Sequence, residues 1–107
     1  MTREERALQI WQVLIGAAHN RQTLTYEMLD RLIEMGGTIV LSNPLDLVAQ
    51  HCQRNNLPPL TVLVVGKQSG EPGGGYPVEQ SVSADRERVY GYPWYALPPR
   101  KTADFGA

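Results

Sequence analysis

The run Leu60-Thr61-Val62-Leu63-Val64-Val65 constrains the fold more than any other part of this chain. It is far too short to cross a membrane, which takes about 20 apolar residues, and it has no helical periodicity. Rich in β-branched side chains, it reads as a buried strand. Pro58 and Pro59 set its start, because proline lacks the backbone donor that a central strand needs, and Gly66 sets its end. The following loop, Ser69 to Tyr76, combines Pro72 with four glycines, which suits a turn with positive φ angles and close backbone approach. A phosphate cradle is the other reading of such a loop. It lacks the GxxxxGK[ST] pattern, and no helix pattern starts directly after it, so a turn is expected.

At 107 residues the chain has the size of one domain with a single core, too small for a large enclosed substrate cavity. An apolar content of 42% fits a folded chain rather than a disordered one. Lys+Arg number 10 and Asp+Glu 11, so no global attraction to DNA or to an anionic membrane is expected, although a local basic patch remains open. Cys52 is the only cysteine, which excludes an intrachain disulfide and fits a reducing compartment. The first residues include Arg3, Glu4, Glu5 and Arg6, with no apolar signal-peptide region, so a cytoplasmic location is expected.

Three helices are expected before the apolar run. Thr2 and Glu5 make a capping box for the first, Thr2 to Ala18, with Ala7, Trp11, Leu14, Ile15 and Ala18 on one face. Thr25 caps the second, which runs to about Met35, buries Met28, Leu29, Leu32 and Ile33, and stops at Gly36-Gly37. The third starts with Asn43 as cap and Pro44 at its first position. It buries Leu45, Val48, Ala49 and Cys52 and shows Asp46, Gln50, Gln53 and Arg54 to solvent. A short fourth helix is expected over Ser83 to Tyr90, not extending into Gly91. Residues 1–97 then form one domain, and 98–107 a mobile tail. The fold class is mostly α within α/β, a small winged helix-turn-helix-like domain with one buried strand and a glycine-rich loop.

Several of these pieces, taken in order, resemble a known family. Ile10-Trp11-Gln12-Val13-Leu14, Thr23-Leu24-Thr25-Tyr26-Glu27-Met28-Leu29, Asn55-Asn56-Leu57-Pro58-Pro59-Leu60, Val64-Val65-Gly66 and Gly74-Gly75-Tyr76 resemble the DNA-binding domain of alkylguanine-DNA alkyltransferases and their catalytically dead alkyltransferase-like relatives. The resemblance covers roughly residues 8 to 90. It implies a winged-helix DNA-binding domain. It also puts Thr61 where the family has its alkyl-accepting cysteine, and Val62 and Leu63 where it has a His-Arg pair, so the chemistry of a base-activated thiolate is absent there. The family's intercalating arginine falls at Asp46 or Leu47, which puts base flipping by the family's route in doubt.

Other catalytic arrangements find no support. Cys52 lies on the apolar stripe of its helix and reads as an inert buried thiol. His19 and His51 have no metal-ligand spacing and no carboxylate partner on the same face, so no zinc site is expected. Glu4, Glu5, Glu27, Asp30 and Glu34 read as solvated helix faces interleaved with arginines. Tyr90, Tyr92, Trp94 and Tyr95 either close the core or form an exposed anchor for a partner.

The expectation is therefore a non-enzymatic binding module with no cofactor, no metal and no membrane contact. One function is duplex DNA binding in the manner of alkyltransferase-like proteins, with Gln50, Gln53 and Arg54 facing the duplex and Tyr26 and Lys67 near phosphates. The alternative is a protein-interaction or self-association module using Tyr92, Trp94 and Tyr95.

Overall fold

Helix α1, Arg3–His19, begins at the expected capping box: Thr2 Oγ1 accepts the Glu5 N–H at 3.1 Å, and Glu5 Oε1 accepts the Thr2 N–H at 2.8 Å. The structure, a computed structural model, describes residues 1–34, 41–73 and 76–106. The Gly36-Gly37 stop, Met35 and the Gly74-Gly75 pair lie outside the described residues. Ala7, Ile10, Trp11, Leu14, Ala17 and Ala18 form the buried face of α1. Its end is a Schellman motif: Arg21 takes φ 53°, its N–H bonds Ala18 O at 3.1 Å, and the Gln22 N–H bonds Ala17 O at 2.9 Å.

Strand β1, Leu24–Thr25, leads directly into α2, Tyr26–Ile33, where Thr25 Oγ1 caps the Met28 N–H at 3.1 Å. Of the four residues expected on its buried stripe, only Leu29 and Ile33 are buried; Met28 and Leu32 are 44% and 61% exposed. A helix of two turns meets the core along a single i, i+4 row, and Met28 and Leu32 form the neighbouring row. The helix stops on Glu34 in the left-handed region, whose N–H bonds Asp30 O, while the Arg6 guanidinium donates to the Ile33 carbonyl.

Helix α3, Ser42–Arg54, starts slightly earlier than Asn43, and Leu41 at its cap offers no side-chain bond. Pro44 falls within the first turn, where its missing N–H has no intrahelical partner to lose. The buried face is wider than expected, since Leu47 and His51 join Val48, Ala49 and Cys52, whereas Leu45 is only half-buried. Asp46, Gln50, Gln53 and Arg54 are exposed, as the pattern requires. Asn56, at φ 54°, turns the chain out of the helix, and the Leu57 N–H closes on Cys52 O at 2.9 Å.

The apolar run departs from its reading as a strand. Leu60–Leu63 is a buried 3-10 turn, and only Val64–Val65 is strand, β2. Pro59 supplies the carbonyl that accepts the Val62 N–H at 3.0 Å, so the proline pair launches a turn rather than an extended segment. A short apolar run is buried equally well in either form, and periodicity cannot separate them. β2 pairs in parallel with β1, Leu24 opposite Val64 and Thr25 opposite Val65, giving two strands where one was expected. Beyond it the chain folds back: the Gly66 N–H bonds Glu71 O at 2.9 Å, and Val65 bridges Pro72. Gly70, at φ 66°, supplies the left-handed residue expected of this turn.

Helix α4, Val82–Gly91, is capped by Ser81 and takes in Gly91, one residue beyond the expected end at Tyr90. Trp94 then enters the core at 3% exposure, with Nε1 donating to Val89 O at 2.7 Å. Residues beyond 97, expected as a tail, dock instead over 98–106. Phe105 is fully buried in a 3-10 turn, Thr102–Phe105, against the rings of Trp11 and His51. Proline-rich composition signals an extended path, but a single aromatic anchor is enough to pin it. Among the described residues the fold is thus four α-helices around one hydrophobic core with a small two-stranded parallel sheet.

Because Trp94 is buried and hydrogen-bonded, Trp94→Ala is expected to cost roughly 3 to 5 kcal/mol of stability, read as a large drop in melting temperature. A shift of only a few degrees would return the indole to the surface-anchor reading.

Candidate functional site

A cleft of about 140 Å3 opens where the two strands, the start of α2 and the start of α3 converge. Tyr26, Ser42, Leu45, Asp46, Thr61, Val64, Gly73 and Tyr76 line it. Each wall has a local cause. Thr25, ending β1 and capping α2, fixes Tyr26 at the first helical position. The Tyr26 hydroxyl then accepts the Gly73 N–H at 3.0 Å, which ties the glycine-rich loop to α2. Any side chain at position 73 would collide with that hydroxyl, so close backbone approach requires glycine here.

Tyr76 is held from the far side. Its hydroxyl donates to Asp85 Oδ2 at 3.2 Å, and the same carboxylate accepts the Glu79 N–H at 2.8 Å and the Gln80 N–H at 3.1 Å. Asp85 is wholly buried, with the Arg88 guanidinium 4.0 Å away. Burial, reinforced by the Asp85 charge and hydrogen bond, pushes the Tyr76 phenol above its usual pKa, so it stays a neutral donor. Asp85 positions this wall, and the sequence reading missed it. An aspartate in the first turn of a helix signals only a favourable dipole contact, and nothing local announces its burial.

Thr61 is the chemically distinctive group. The residue is 6% exposed, and Oγ1 is buried without a hydrogen-bond partner among the described residues. An unsatisfied buried hydroxyl costs about 1 to 3 kcal/mol, and this one has no open surface through which a cleft occupant could supply a partner. The cleft therefore pairs two phenol rings and a largely apolar floor that includes Thr61 with the Asp46 carboxylate at its α3 side. Its volume is close to the ~150 Å3 of an engineered cavity that admits benzene, which limits an occupant to about one ring.

The sequence-predicted residues fall into separate groups. Tyr26 lines the cleft. Gln50, Gln53 and Arg54 share the exposed face of α3, and Lys67 is exposed in the turn after β2. Arg54 is already engaged: Nη2 donates to Asp104 O at 3.3 Å and to Gly106 O at 3.4 Å. In the C-terminal segment Tyr92 packs on Trp94 at 4.7 Å and is half-buried, Trp94 is in the core, and Tyr95 is 62% exposed with its ring 5.3 Å from His19.

His51 holds an arrangement the sequence did not suggest. The ring is buried, edge-on to Trp11 at 5.3 Å and tilted on Phe105 at 4.8 Å. Nδ1 lies 3.1 Å from Asp104 O, and Arg100 Nε donates to Nε2 at 3.0 Å. Burial lowers its pKa, opposed by the bond to Asp104 and assisted by the Arg100 charge. Among the described residues no group of three or more His, Cys, Asp or Glu is placed to hold a metal, and no helix is long and apolar enough to cross a membrane. Comparison with family models, with curated proteins and with solved structures gives no match.

Cys52 is 1% exposed, and burial raises its thiol to a pKa of about 11. Native protein near pH 8 is expected to resist a thiol-specific disulfide reagent and to react fully once denatured, followed by absorbance of the released thiolate. Rapid labelling of the native form would contradict this burial.

Proposed function

We propose that the chain is a non-catalytic DNA-binding module of winged-helix type, using the exposed face of α3 on the duplex and the Thr61 cleft for a single unstacked base. The observation that carries the reading is the one-ring cleft walled by Tyr26 and Tyr76, with Thr61 in its lining at the position where the resemblance places the alkyl-accepting cysteine. With no lining histidine as base, that threonine has nothing to activate it as a nucleophile. Aromatic walls suit a base drawn from the stack, and Asp46 adds an acceptor for base N–H groups. Gln50, Gln53 and Arg54 offer base-edge and phosphate contacts along α3, while Lys67 sits on the fold-back after β2 that serves as the wing. With acidic and basic residues nearly balanced, long-range attraction is weak and affinity must come from these contacts.

Salt-titrated binding to normal duplex, duplex with an unpaired or alkylated guanine, and single-stranded DNA tests the reading. Binding is expected to favour the duplexes with an available base and to fall as salt rises. Arg54→Ala with Lys67→Ala is expected to lower affinity evenly across sequences and to reduce the salt slope by about two phosphate contacts. Unchanged affinity and slope would remove this docking face.

Tyr95 supports a second reading, a protein-interaction module. It stands 62% exposed at the rim of a groove lined by Trp11, Ile15, Trp94, Leu97 and Pro98. Exposed tyrosine beside an apolar groove is the usual composition of a binding hot spot. Under that reading Tyr95→Ala abolishes concentration-dependent self-association in sedimentation while leaving the melting temperature within a few degrees; an unaltered sedimentation profile would count against self-association through this groove.

A further inference from the structure

We propose that Lys101–Gly106 is a strap that holds the Arg54 guanidinium away from an anionic partner, and that protonation of the His51 ring releases it. The choice of DNA as that partner rests on the function proposed above; the strap itself rests on its own geometry.

Contacts at Phe105, Arg54 and His51 fasten it. Phe105 is buried against the rings of Trp11 and His51. Asp104 Oδ2 accepts the Lys101 N–H at 2.7 Å and closes the 3-10 turn. The carbonyls of Asp104 and Gly106 take up Arg54 Nη2, at 3.3 and 3.4 Å. Those last two bonds are long, and a phosphate offers a guanidinium shorter, charge-assisted ones. Arg54 is therefore occupied, but weakly enough to be exchanged.

His51 is the latch because its tautomer is determined by its neighbours. A backbone carbonyl only accepts, so the contact with Asp104 O places the proton on Nδ1. Nε2 must then carry the lone pair that receives Arg100 Nε. Asn55 Nδ2, 3.3 Å from Nδ1, has its own acceptor in the His51 carbonyl at 2.8 Å. A second proton on the ring goes to Nε2, which removes the Arg100 bond and sets a cation against both Arg100 and Arg54 in a buried site. The retained Nδ1–H bond to Asp104 O opposes the release, but burial is the larger effect. The Asp104 carboxylate is the one opposing charge on the strap, and it is engaged by Lys101; α1 faces the ring with the uncharged Trp11 indole. Since the docked ring has a pKa below its ordinary 6.5, docking is fully supported above that value and is lost as pH falls through it toward the docked value.

The test uses the full chain. The Phe105 ring protons, shifted by the Trp11 and His51 rings when docked, are followed by NMR between about pH 8 and about pH 5.5. The parent is expected to lose that shift on acidification, and His51→Gln, which cannot take up the proton, is expected to show no such titration. In parallel, Phe105→Ala at about pH 8 is expected to bind duplex DNA about tenfold more tightly than the parent, with a salt slope steeper by about one contact. Asp104→Ala, which frees the Lys101 N–H without touching the core, gives the same direction should Phe105→Ala fail to fold. A Phe105 ring that stays docked at about pH 5.5 overturns the latch. Strap variants that bind DNA no more tightly overturn the shielding of Arg54 and leave the DNA reading standing. Absence of DNA binding by every form at low salt overturns both.

Discussion

α3 and the C-terminal stretch from Trp94 to Phe105 meet on the Trp11 indole of α1. His51 from α3 and Trp94 from beyond α4 approach its ring edge-to-face at 5.3 and 5.5 Å, Phe105 lies tilted at 6.0 Å, and the Arg100 guanidinium sits 5.3 Å from its ring centre. Each aromatic pair of this kind adds about 0.5 to 1.5 kcal/mol beyond the apolar area it buries, and a cation over an indole adds about as much. Both tryptophans and the only phenylalanine of the chain are concentrated at this one junction. That has a consequence for the whole architecture. The last residues of the chain belong to the same core as α1, so α3 is enclosed on one side by the first helix and on the other by the C-terminal segment.

Those parts of the fold set by local chemistry were legible in the sequence. The Thr2–Glu5 capping box, the Thr25 cap and the 3.6-residue spacing along α1 each depend on residues a few positions apart, and each stands where expected. What failed was set by distant partners. Met28 and Leu32 are as apolar as Leu29 and Ile33, and only the position of α1 decides which row is covered. Leu60 to Leu63 carry the composition of a strand, but a strand needs a neighbour along its whole length, and β1 offers two residues. His51 and Phe105 are the clearest cases: neither has a local signal for burial, and their rings pack against each other and against Trp11.

The cleft follows the same division. Tyr26 was recognisable as a site residue because a capped helix start is a local feature, whereas the glycine-rich loop read only as a turn. The groups that give the cleft its character were not recognisable, since the orphan state of Thr61 and the burial of Asp85 both arise from chain returning from elsewhere. Asp85 collects three donors from Tyr76, Glu79 and Gln80, so one carboxylate sets both the entry to α4 and the orientation of a cleft wall. A charge buried in this way is tolerated only because those donors and the nearby Arg88 compensate it, and its loss would leave Tyr76 free to rotate.

α3 links the two regions. At its start Ser42, Leu45 and Asp46 line the cleft, and at its end His51 and Arg54 are gripped by the C-terminal segment. At 1.5 Å per residue these ends lie roughly 18 Å apart, with Gln50 and Gln53 exposed on the way. A rigid helix of this length presents one continuous polar face, and its two ends are held by independent means: Tyr26 and the glycine loop near the first, the aromatic junction at the second. A partner laid along that face would meet the cleft and Arg54 together. Its fit at the cleft would be decided by shape, and its fit at Arg54 by whether the phosphate or carboxylate it brings displaces two long carbonyl contacts.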